Sequence, residues 1–256
     1  MVYICTNIKT HPLAYVNNAS KIVIKKLYNE AACLIEDSLV IADLHIGIER
    51  EFSARGISLP PSVREIKRKI LDLLEISGAS RLIILGDLKH NIPKANWDEY
   101  RHVSELIEEV SKKAEVVLVK GNHDSLVEHI VPELKIVKRL DIGEVTLSHG
   151  HITLCETGKY VLIAHSHPAI LFRDSLGASR EKAWIEAGFT EKGKNLFEGT
   201  SNLVVMPAFS PLISGIAFNS DETPLGPLFN HGLVDIENAG AYLLDSTYLG
   251  RIKDLR

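Results

Sequence analysis

Cysteine is scarce in this chain. Only Cys5, Cys33 and Cys155 occur among 256 residues, far apart and with no CxxC pair. That excludes a disulfide scaffold and a thiolate zinc site, and it suits a reducing cytoplasm. Long apolar runs are missing as well. No run approaches the roughly 18 residues of a membrane span, and the first residues lack the charged-then-apolar pattern of a signal peptide. A cytoplasmic location with no membrane partner is therefore expected. Nor is there an excess of charge: 29 basic residues face 33 acidic ones, a net charge of −4. Nothing global advertises a nucleic-acid binder, although a metal centre can supply the positive charge that a phosphate site needs. Internal repeats, low-complexity tracts and clear linkers are also absent.

What is there is an ordinary composition, 45% hydrophobic and 24% charged, long enough for one large α/β domain or two small ones. With no linker, a single domain over 1–256 is expected. The chain is organised around Val116-Val117-Leu118-Val119-Lys120-Gly121-Asn122-His123-Asp124. A β-branched apolar run reads as a buried strand. It stops in four residues that make poor strand and good chemistry. Gly121 permits a backbone turn that a side chain would block. The pattern occurs twice upstream, where Leu39-Val40-Ile41-Ala42 runs into Asp43-Leu44-His45 and Leu82-Ile83-Ile84-Leu85 runs into Gly86-Asp87. Three strands thus deliver polar groups at their C-terminal ends, where open α/β sheets place their sites.

Between these strands the pattern is helical. After Pro60-Pro61, Ser62 and Glu65 have capping-box spacing. Val63, Ile66, Ile70, Leu73 and Leu74 then share one face, and Gly78 ends the helix. A second helix is predicted over 97–113, with Tyr100, Val103, Leu106, Ile107 and Val110 on one side. Alternating strands and helices predict a parallel sheet covered by helices. Upstream, runs at 31–35 and 39–41 flank Glu36-Asp37-Ser38 as a hairpin, and Ile22-Val23-Ile24 reads as a strand. Residues 46–56 suggest a charged loop or short helix, and 126–131 a short helix. Downstream, short runs at 134–137, 144–147, 160–163, 203–206, 212–217 and 241–244 predict a second, mostly antiparallel sheet. The longest stretch without a strand signal is 172–201. It holds Arg173, Arg180, Lys182, Lys192 and Lys194 beside Trp184, Phe189 and Phe197. It reads as a surface excursion or as a substrate-binding loop.

Histidine is the abundant reactive residue, with eleven copies. Asp43-x-His45 and His165-x-His167 each place two ligand types at i and i+2. In extended chain these point the same way, about 6–7 Å apart, a separation that can straddle two metals roughly 3.5–4 Å apart. Asp87 could bridge both ions, with Asn122 and His149 completing the set. Oxygen and nitrogen donors without thiolate suit manganese, iron, zinc or cobalt better than calcium or magnesium. His123 can give or take a proton, and Asp124 can orient it.

The series Asp43-x-His45, Gly86-Asp87, Gly121-Asn122-His123-Asp124, His149-Gly150 and His165-x-His167 resembles the calcineurin-like metallophosphoesterases over residues 40–168. Within that superfamily, Ala42-Asp43-Leu44-His45-Ile46-Gly47 looks like the start of SbcD-type nucleases. Leu85-Gly86-Asp87-Leu88-Lys89-His90 and Met206-Pro207-Ala208-Phe209 look like the small archaeal SbcD-related phosphoesterases and the bacterial phosphodiesterases encoded beside DNA ligase or helicase genes. The resemblance implies a four-layer αββα sandwich of two mixed sheets flanked by helices. It implies one metal held by Asp43, His45, Asp87 and His167, and a second held by Asp87, Asn122, His149 and His165. The two ions would be divalent transition metals, manganese first, with iron, zinc, nickel or cobalt as alternatives. A bridging hydroxide would attack phosphorus in line. His123 would stabilise the transition state or protonate the leaving oxygen, and Asp124 would hold its ring. One departure is Ala164, where the family has glycine before His165.

Other residues have weaker claims. His90, three past Asp87, is read as facing metals or substrate, or as structural. His151 is read as supporting His149. Asp124 could alternatively cap the 126–131 helix. Glu49 and Glu51 are read as a solvated face, and Phe209 as an aromatic able to stack a base. His11, His102, His129 and His231 belong to no constellation. The expected function is hydrolysis of a nucleotide-type phosphodiester. The alternatives are a DNA or RNA nuclease acting on single strands, a phosphomonoesterase, and a non-catalytic scaffold. Only 89 residues follow His167, leaving little for a duplex-binding cap. A homodimer through the helices at 63–74 or 97–110 is a further expectation.

Overall fold

The computed structural model describes residues 24–256 apart from Lys94 and Leu176. Cys5, His11 and most of the strand expected at 22–24 lie outside the described residues. The chain opens with β1 (Lys25–Lys26), β2 (Ala32–Ile35) and β3 (Ser38–Ile41). The hairpin between β2 and β3 turns at Glu36, whose φ is 52°. Then come α1 (Glu49–Ala54), α2 (Val63–Ser77), β4 (Arg81–Ile84), α3 (Trp97–Ser111), β5 (Glu115–Val119), α4 (Val127–Ile130) and β6 (Lys135–Val137). The six strands form one sheet in chain order, with β3, β4, β5 and β6 parallel. The expected βαβαβ unit is present. The run at 134–137 joins this sheet, not the second one as its position after the helices suggested.

The second half supplies β7 (Leu140–Ile142), β8 (Val145–Leu147), β9 (Tyr160–Ile163), β10 (Pro168–Asp174), β11 (Gly177–Ala187), α5 (Glu191–Leu196), β12 (Asn202–Val205), β13 (Ile216–Ala217), α6 (Pro227–Asn230), β14 (Gly240–Leu243) and β15 (Tyr248–Arg251). Their order is β13-β10-β11-β12-β9-β8-β7, with β14 on the far part of β11 and β15 on β14. The sheet is mixed: β8, β9 and β12 run parallel, while the β10–β11 and β14–β15 pairs are antiparallel. The 172–201 stretch is therefore not strandless. β10 and β11 make a long hairpin, from Ala169↔Lys182 to Asp174↔Gly177. Its tip is exposed on both faces, so it carries no alternation of apolar and polar residues to read.

Strand alternation sorts the core into layers. Leu39, Ile41, Leu82, Ile84, Val116 and Leu118 face α2 and α3. Val40, Ile83, Leu85 and Val119 face the opposite way and meet Leu147, Leu162, Trp184, Val204 and Met206 of the second sheet. On that sheet's outer side, Val161, Ile163, Ile185, Leu203 and Val205 pack with Phe189, Phe197, Leu228 and Phe229 around the short helices α5 and α6. This is helix, sheet, sheet, helix, and its thin fourth layer is built mostly from loops.

Two local expectations fail. Ser62 gives α2 no side-chain cap because its backbone is already helical, not extended as a capping residue's is, and its amide donates to the Glu49 carboxylate. Tyr100 is exposed, while the other apolar residues of its helix face are buried. The true capping box is at α3, where Asn96 accepts from the Glu99 amide and the Glu99 carboxylate accepts from the Asn96 amide.

An ion pair joins the two sheets. The buried Lys26 ammonium donates to Glu186 on β11 and lies over the Tyr242 ring, 4.3 Å from its centroid. Burial pulls the Lys26 pKa below its usual range, and Glu186 opposes that pull. Glu186→Ala would strand a buried charge, so its urea midpoint should fall by the equivalent of about 3–5 kcal/mol. A Lys26→Met/Glu186→Leu double variant should recover most of that stability. Equal losses in both variants would show that packing, not the unpaired charge, sets the effect.

Candidate metal centre

Every candidate ligand stands just past the C-terminal end of a parallel strand. Asp43 and His45 follow β3, Asp87 follows β4, and Asn122 and His123 follow β5. His149 follows β8, and His165 and His167 follow β9. The two sheets thus contribute opposite walls of one site. Five of these residues have left-handed backbone: Asp43 (φ 55°), His45 (45°), Asp87 (53°), His165 (66°) and His167 (43°). The extended-chain reading of Asp43-x-His45 and His165-x-His167 is thereby corrected, because the chain turns at each ligand. Each such residue costs about 1–3 kcal/mol and persists only where neighbours enforce it.

Those neighbours are identifiable. The Asp43 and His45 amides donate to the Gly86 and Asp87 carbonyls at 3.0 and 2.9 Å, locking the two ligand loops together. The Asp124 carboxylate, fully buried, accepts from the Asp87 and Leu88 amides at 2.8 Å each and from the Gly121 amide at 2.7 Å. Asp87 Oδ1 accepts from the His123 amide at 2.8 Å. Two glycines allow close approach between the β4, β5 and β8 ligand loops. A Cβ at Gly86 would lie 2.2 Å from His149 Nδ1, and one at Gly121 would lie 2.2 Å from Asp87 Oδ1. Gly121 therefore makes room for Asp87; its φ is not positive, and no special turn depends on it.

The side chains converge in three sets: two share Asp87, and the third, His45 with His90 and His123, adjoins them through His45. Ligand atoms of Asp43, His45, Asp87 and His167 lie within 4.8 Å of one another, and so do those of Asp87, His149 and His165. His167 Nε2 is 3.2 Å from Asp43 Oδ1, and His149 Nε2 is 3.2 Å from Asp87 Oδ2. His45 Nε2 is 3.3 Å from His167 Nε2. Both Asp43 oxygens, His149 Nε2 and Asn122 Oδ1 are buried without a hydrogen-bond partner. A buried carboxylate left so is costly unless a cation meets it. The donor set, imidazole with carboxylate and amide oxygen, fits a pair of divalent transition metals.

Protonation supports the same fit. Burial holds His45 down to about 3 and His165 down to about 4, so at neutral pH both imidazoles are neutral with a lone pair to give. His149 goes the other way. Burial lowers it, but the Asp87 and Asp43 carboxylates outweigh burial and lift it to about 9. Its Nδ1–H donates to the Leu85 carbonyl at 2.8 Å, which aims Nε2 at Asp87.

His123 and Asp124 do not act as a pair. Asp124 makes no bond to the His123 ring and is no side-chain cap for α4, whose N-cap is Leu126. It orders the backbone beneath Asp87. The His123 ring is held instead by His90, whose carbonyl accepts from His123 Nδ1 and whose ring stacks on it at 5.5 Å. His90 Nδ1 also approaches His45 Nδ1 at 3.2 Å, and its Nε2 meets Glu51 of α1 at 3.2 Å. Glu51 is thus part of the wall, not only a solvated face. Beneath lies Glu99, fully buried, whose carboxylate accepts from the His90 and Asn91 amides at 2.7 Å each. Glu99 was not expected in the site. Its signal, an Asn followed three residues later by Glu before an amphipathic run, was present in the sequence.

His151 is half-buried, 5.3 Å ring to ring from His149 and 6.1 Å from His165. Phe209 is a correction. It is buried in the core under Lys69, and its amide donates to the Ala42 carbonyl, so its ring cannot stack a base. In the basic 173–194 stretch the aromatic residues are not at the surface, and four of the five cations are engaged. Trp184, Phe189 and Phe197 are core residues. Lys182 donates to the Ala208 and Ser210 carbonyls, Lys192 to the His231 carbonyl, and Arg180 and Lys194 pair with Glu222 and Glu191.

Comparison with known proteins agrees with this layout. The calcineurin-like phosphoesterase family model matches residues 38–223. The chain is similar in fold to the Pseudomonas putida nuclease MPE, at 21% identity and a TM-score of 0.56, covering 86% of this chain and 91% of that one. It also matches Yfce, a phosphoesterase from E. coli, at 18% identity and a TM-score of 0.40, covering 84% and 97% of the two chains. No curated protein matches the chain.

Two outcomes follow from the geometry. Because His149 keeps its proton up to about pH 9, a metal must displace it. Mn²⁺ uptake at pH 7 should release protons, and affinity should rise with pH toward 9. Calorimetry in two buffers of different ionisation enthalpy reads this directly, and buffer-independent heats would contradict it. Glu99→Gln replaces an acceptor with a donor facing the Asn91 and Asn96 groups. Turnover should fall about tenfold or more, as expected when a buried acceptor is lost, with metal stoichiometry intact. Unchanged turnover would separate the Glu99 network from His123.

Proposed function

From the premise that the chain belongs to the calcineurin-like phosphoesterase family, and so is a hydrolase acting on phosphoester bonds, we propose that it is a two-metal phosphodiesterase acting on nucleotide-type diesters. The observation that carries this reading is the pair of ligand sets sharing Asp87, with His123 beside them and grouped with His90 and His45, and we assign His123 to the substrate and not to an ion. Asp43, His45, Asp87 and His167 would hold one ion. Asp87, Asn122, His149 and His165 would hold the other. Manganese is the ion proposed first. Bound there, the ions supply an activated water and neutralise the phosphoryl oxygens.

The protein's own residues do the rest. Asp124 and Gly121 fix the backbone of Asp87, so its carboxylate stands between the two ligand sets. His123 gives its Nδ1–H to the His90 carbonyl, which leaves Nε2 as the working nitrogen. In its protonated state that nitrogen can donate to a phosphoryl oxygen or to the leaving oxygen. His90, whose ring stacks on that of His123 at 5.5 Å, is the group we assign to the second ester of a diester. Burial, then the neighbouring His123, lowers its pKa, so it acts as a neutral hydrogen-bonding group. A monoester offers no second ester for that wall to contact, and this favours the diester. Cleavage of a single-stranded polynucleotide is the second reading, and it is in keeping with the similarly folded P. putida protein being a nuclease.

The test is turnover by Mn²⁺-loaded protein on bis-p-nitrophenyl phosphate, p-nitrophenyl phosphate and single-stranded DNA. The diester should be hydrolysed well and the monoester poorly. His123→Ala should keep its metals and lose about 10²–10⁴-fold on substrates with poor leaving groups, and much less with p-nitrophenolate, which leaves without a proton. A monoester preference would overturn the diester reading, and equal loss on both leaving groups would overturn the role of His123.

A further inference from the structure

Of the cations at 173–194, Arg180, Lys182, Lys192 and Lys194 are engaged with carbonyls and carboxylates, which leaves Arg173 there and points to a phosphate surface elsewhere. Helices α1, α2 and α3 enclose an open groove of about 650 Å³. Arg50 lines it from α1, Arg64 and Lys67 from α2, and Arg101 from α3. Among the described residues, the side chains of Arg50, Arg64 and Lys67 have no hydrogen-bond or ion-pair partner. Three carboxylates also line the groove. Glu49 accepts from the Ser62 amide, and Asp98 pairs with Arg101 at 3.7 Å. Glu105 is unengaged, and an amide bond leaves Glu49 its charge, so beside the Arg101–Asp98 pair three cations face two carboxylates, a small positive excess.

The helix ends add to this field. The first turns of α2 and α3 both open onto the groove, at Pro61, Val63 and Arg64 and at Asn96 and Asp98. Each brings partial positive charge. α2 has no side-chain cap, and Ser62 Oγ between Pro61 and Val63 is buried without a partner.

The groove and the centre share a wall. Gly47, two residues past His45, lines the groove and is packed against Glu99, which holds the His90 and Asn91 amides. Arg50 is followed directly by Glu51, whose carboxylate meets His90. A chain of phosphates passing the His90 wall would therefore run onto Arg50, Arg64 and Lys67.

We propose that this groove binds the backbone of a single-stranded polynucleotide whose scissile phosphate lies at the metal centre. The proposal rests on the diesterase reading above and deepens it. The groove is too small for a duplex, and its lining holds no aromatic ring beyond His102, so it reads phosphates and not bases. Binding there should be strong at low salt, steeply salt-dependent and nearly indifferent to sequence.

The test compares Mn²⁺-loaded wild type with an Arg64→Glu/Lys67→Glu variant, both changes being on the surface of α2. Oligothymidylate binding is titrated against salt, and bis-p-nitrophenyl phosphate turnover is followed in parallel. The variant should lose at least about tenfold in affinity for the oligonucleotide. Its log–log salt slope should flatten by about 1.4, two phosphates at roughly 0.7 each. Its diester turnover should be unchanged. Equal affinity and slope in the two proteins would overturn the groove assignment, and so would a parallel fall in small-diester turnover. Wild type that hydrolyses the small diester but binds no oligonucleotide would sink the groove and leave the diesterase. Wild type inactive on every diester would sink both.

Discussion

The structure depends on one constraint: two buried carboxylates, Asp43 and Asp87, must sit among imidazoles at the junction of two sheets. Five left-handed residues bring the ligands together, a backbone cost that ordinary strand and helix pairing does not repay locally. It is offset by amides locked across loops. The β3 and β4 loops bond to each other, and Asp124 gathers four amides from the β4 and β5 loops. Two aspartates thus have opposite assignments in the fold. Asp87 leaves one oxygen, Oδ2, facing His45 and His149, while Asp124 turns inward and takes backbone bonds.

This arrangement explains why the sandwich has its shape. Parallel strands β3, β4 and β5 and parallel strands β8, β9 and β12 end at the same edge. The helices that link the first set cover one face and carry Glu51 and Glu99 to the rim of the site. Lys26 and Glu186 cross from sheet to sheet away from the ligands. The site is therefore an edge property of two packed sheets, and small shifts between them would be felt at the shared Asp87.

Much of this was legible in the sequence, and for physical reasons. The runs before Asp43, Gly86 and Gly121 are fully buried parallel strands, so they read as continuous apolar blocks. Helices α2 and α3 carry the 3.6-residue period that burial of one face demands. What was hidden is of three kinds. The β10–β11 hairpin tip is polar on both faces, and its strands exist through pairing alone. Left-handed backbone at Asp43 and His45 leaves no mark in residue type, because neither is glycine. The directions of Asp124 and Phe209 were set by long-range bonds, to the Asp87 amide and the Ala42 carbonyl, which local spacing does not encode.

The central claim is that Asp87 joins two ion sites into one centre. The most direct measurement is the Mn²⁺ stoichiometry of the wild-type chain and of Asp87→Asn, by calorimetry with elemental analysis. Two ions per wild-type chain are expected. In Asp87→Asn both sites should weaken together, with uptake falling below one ion at concentrations that saturate wild type. Full two-ion loading of the variant, or no uptake by wild type, would contradict the account.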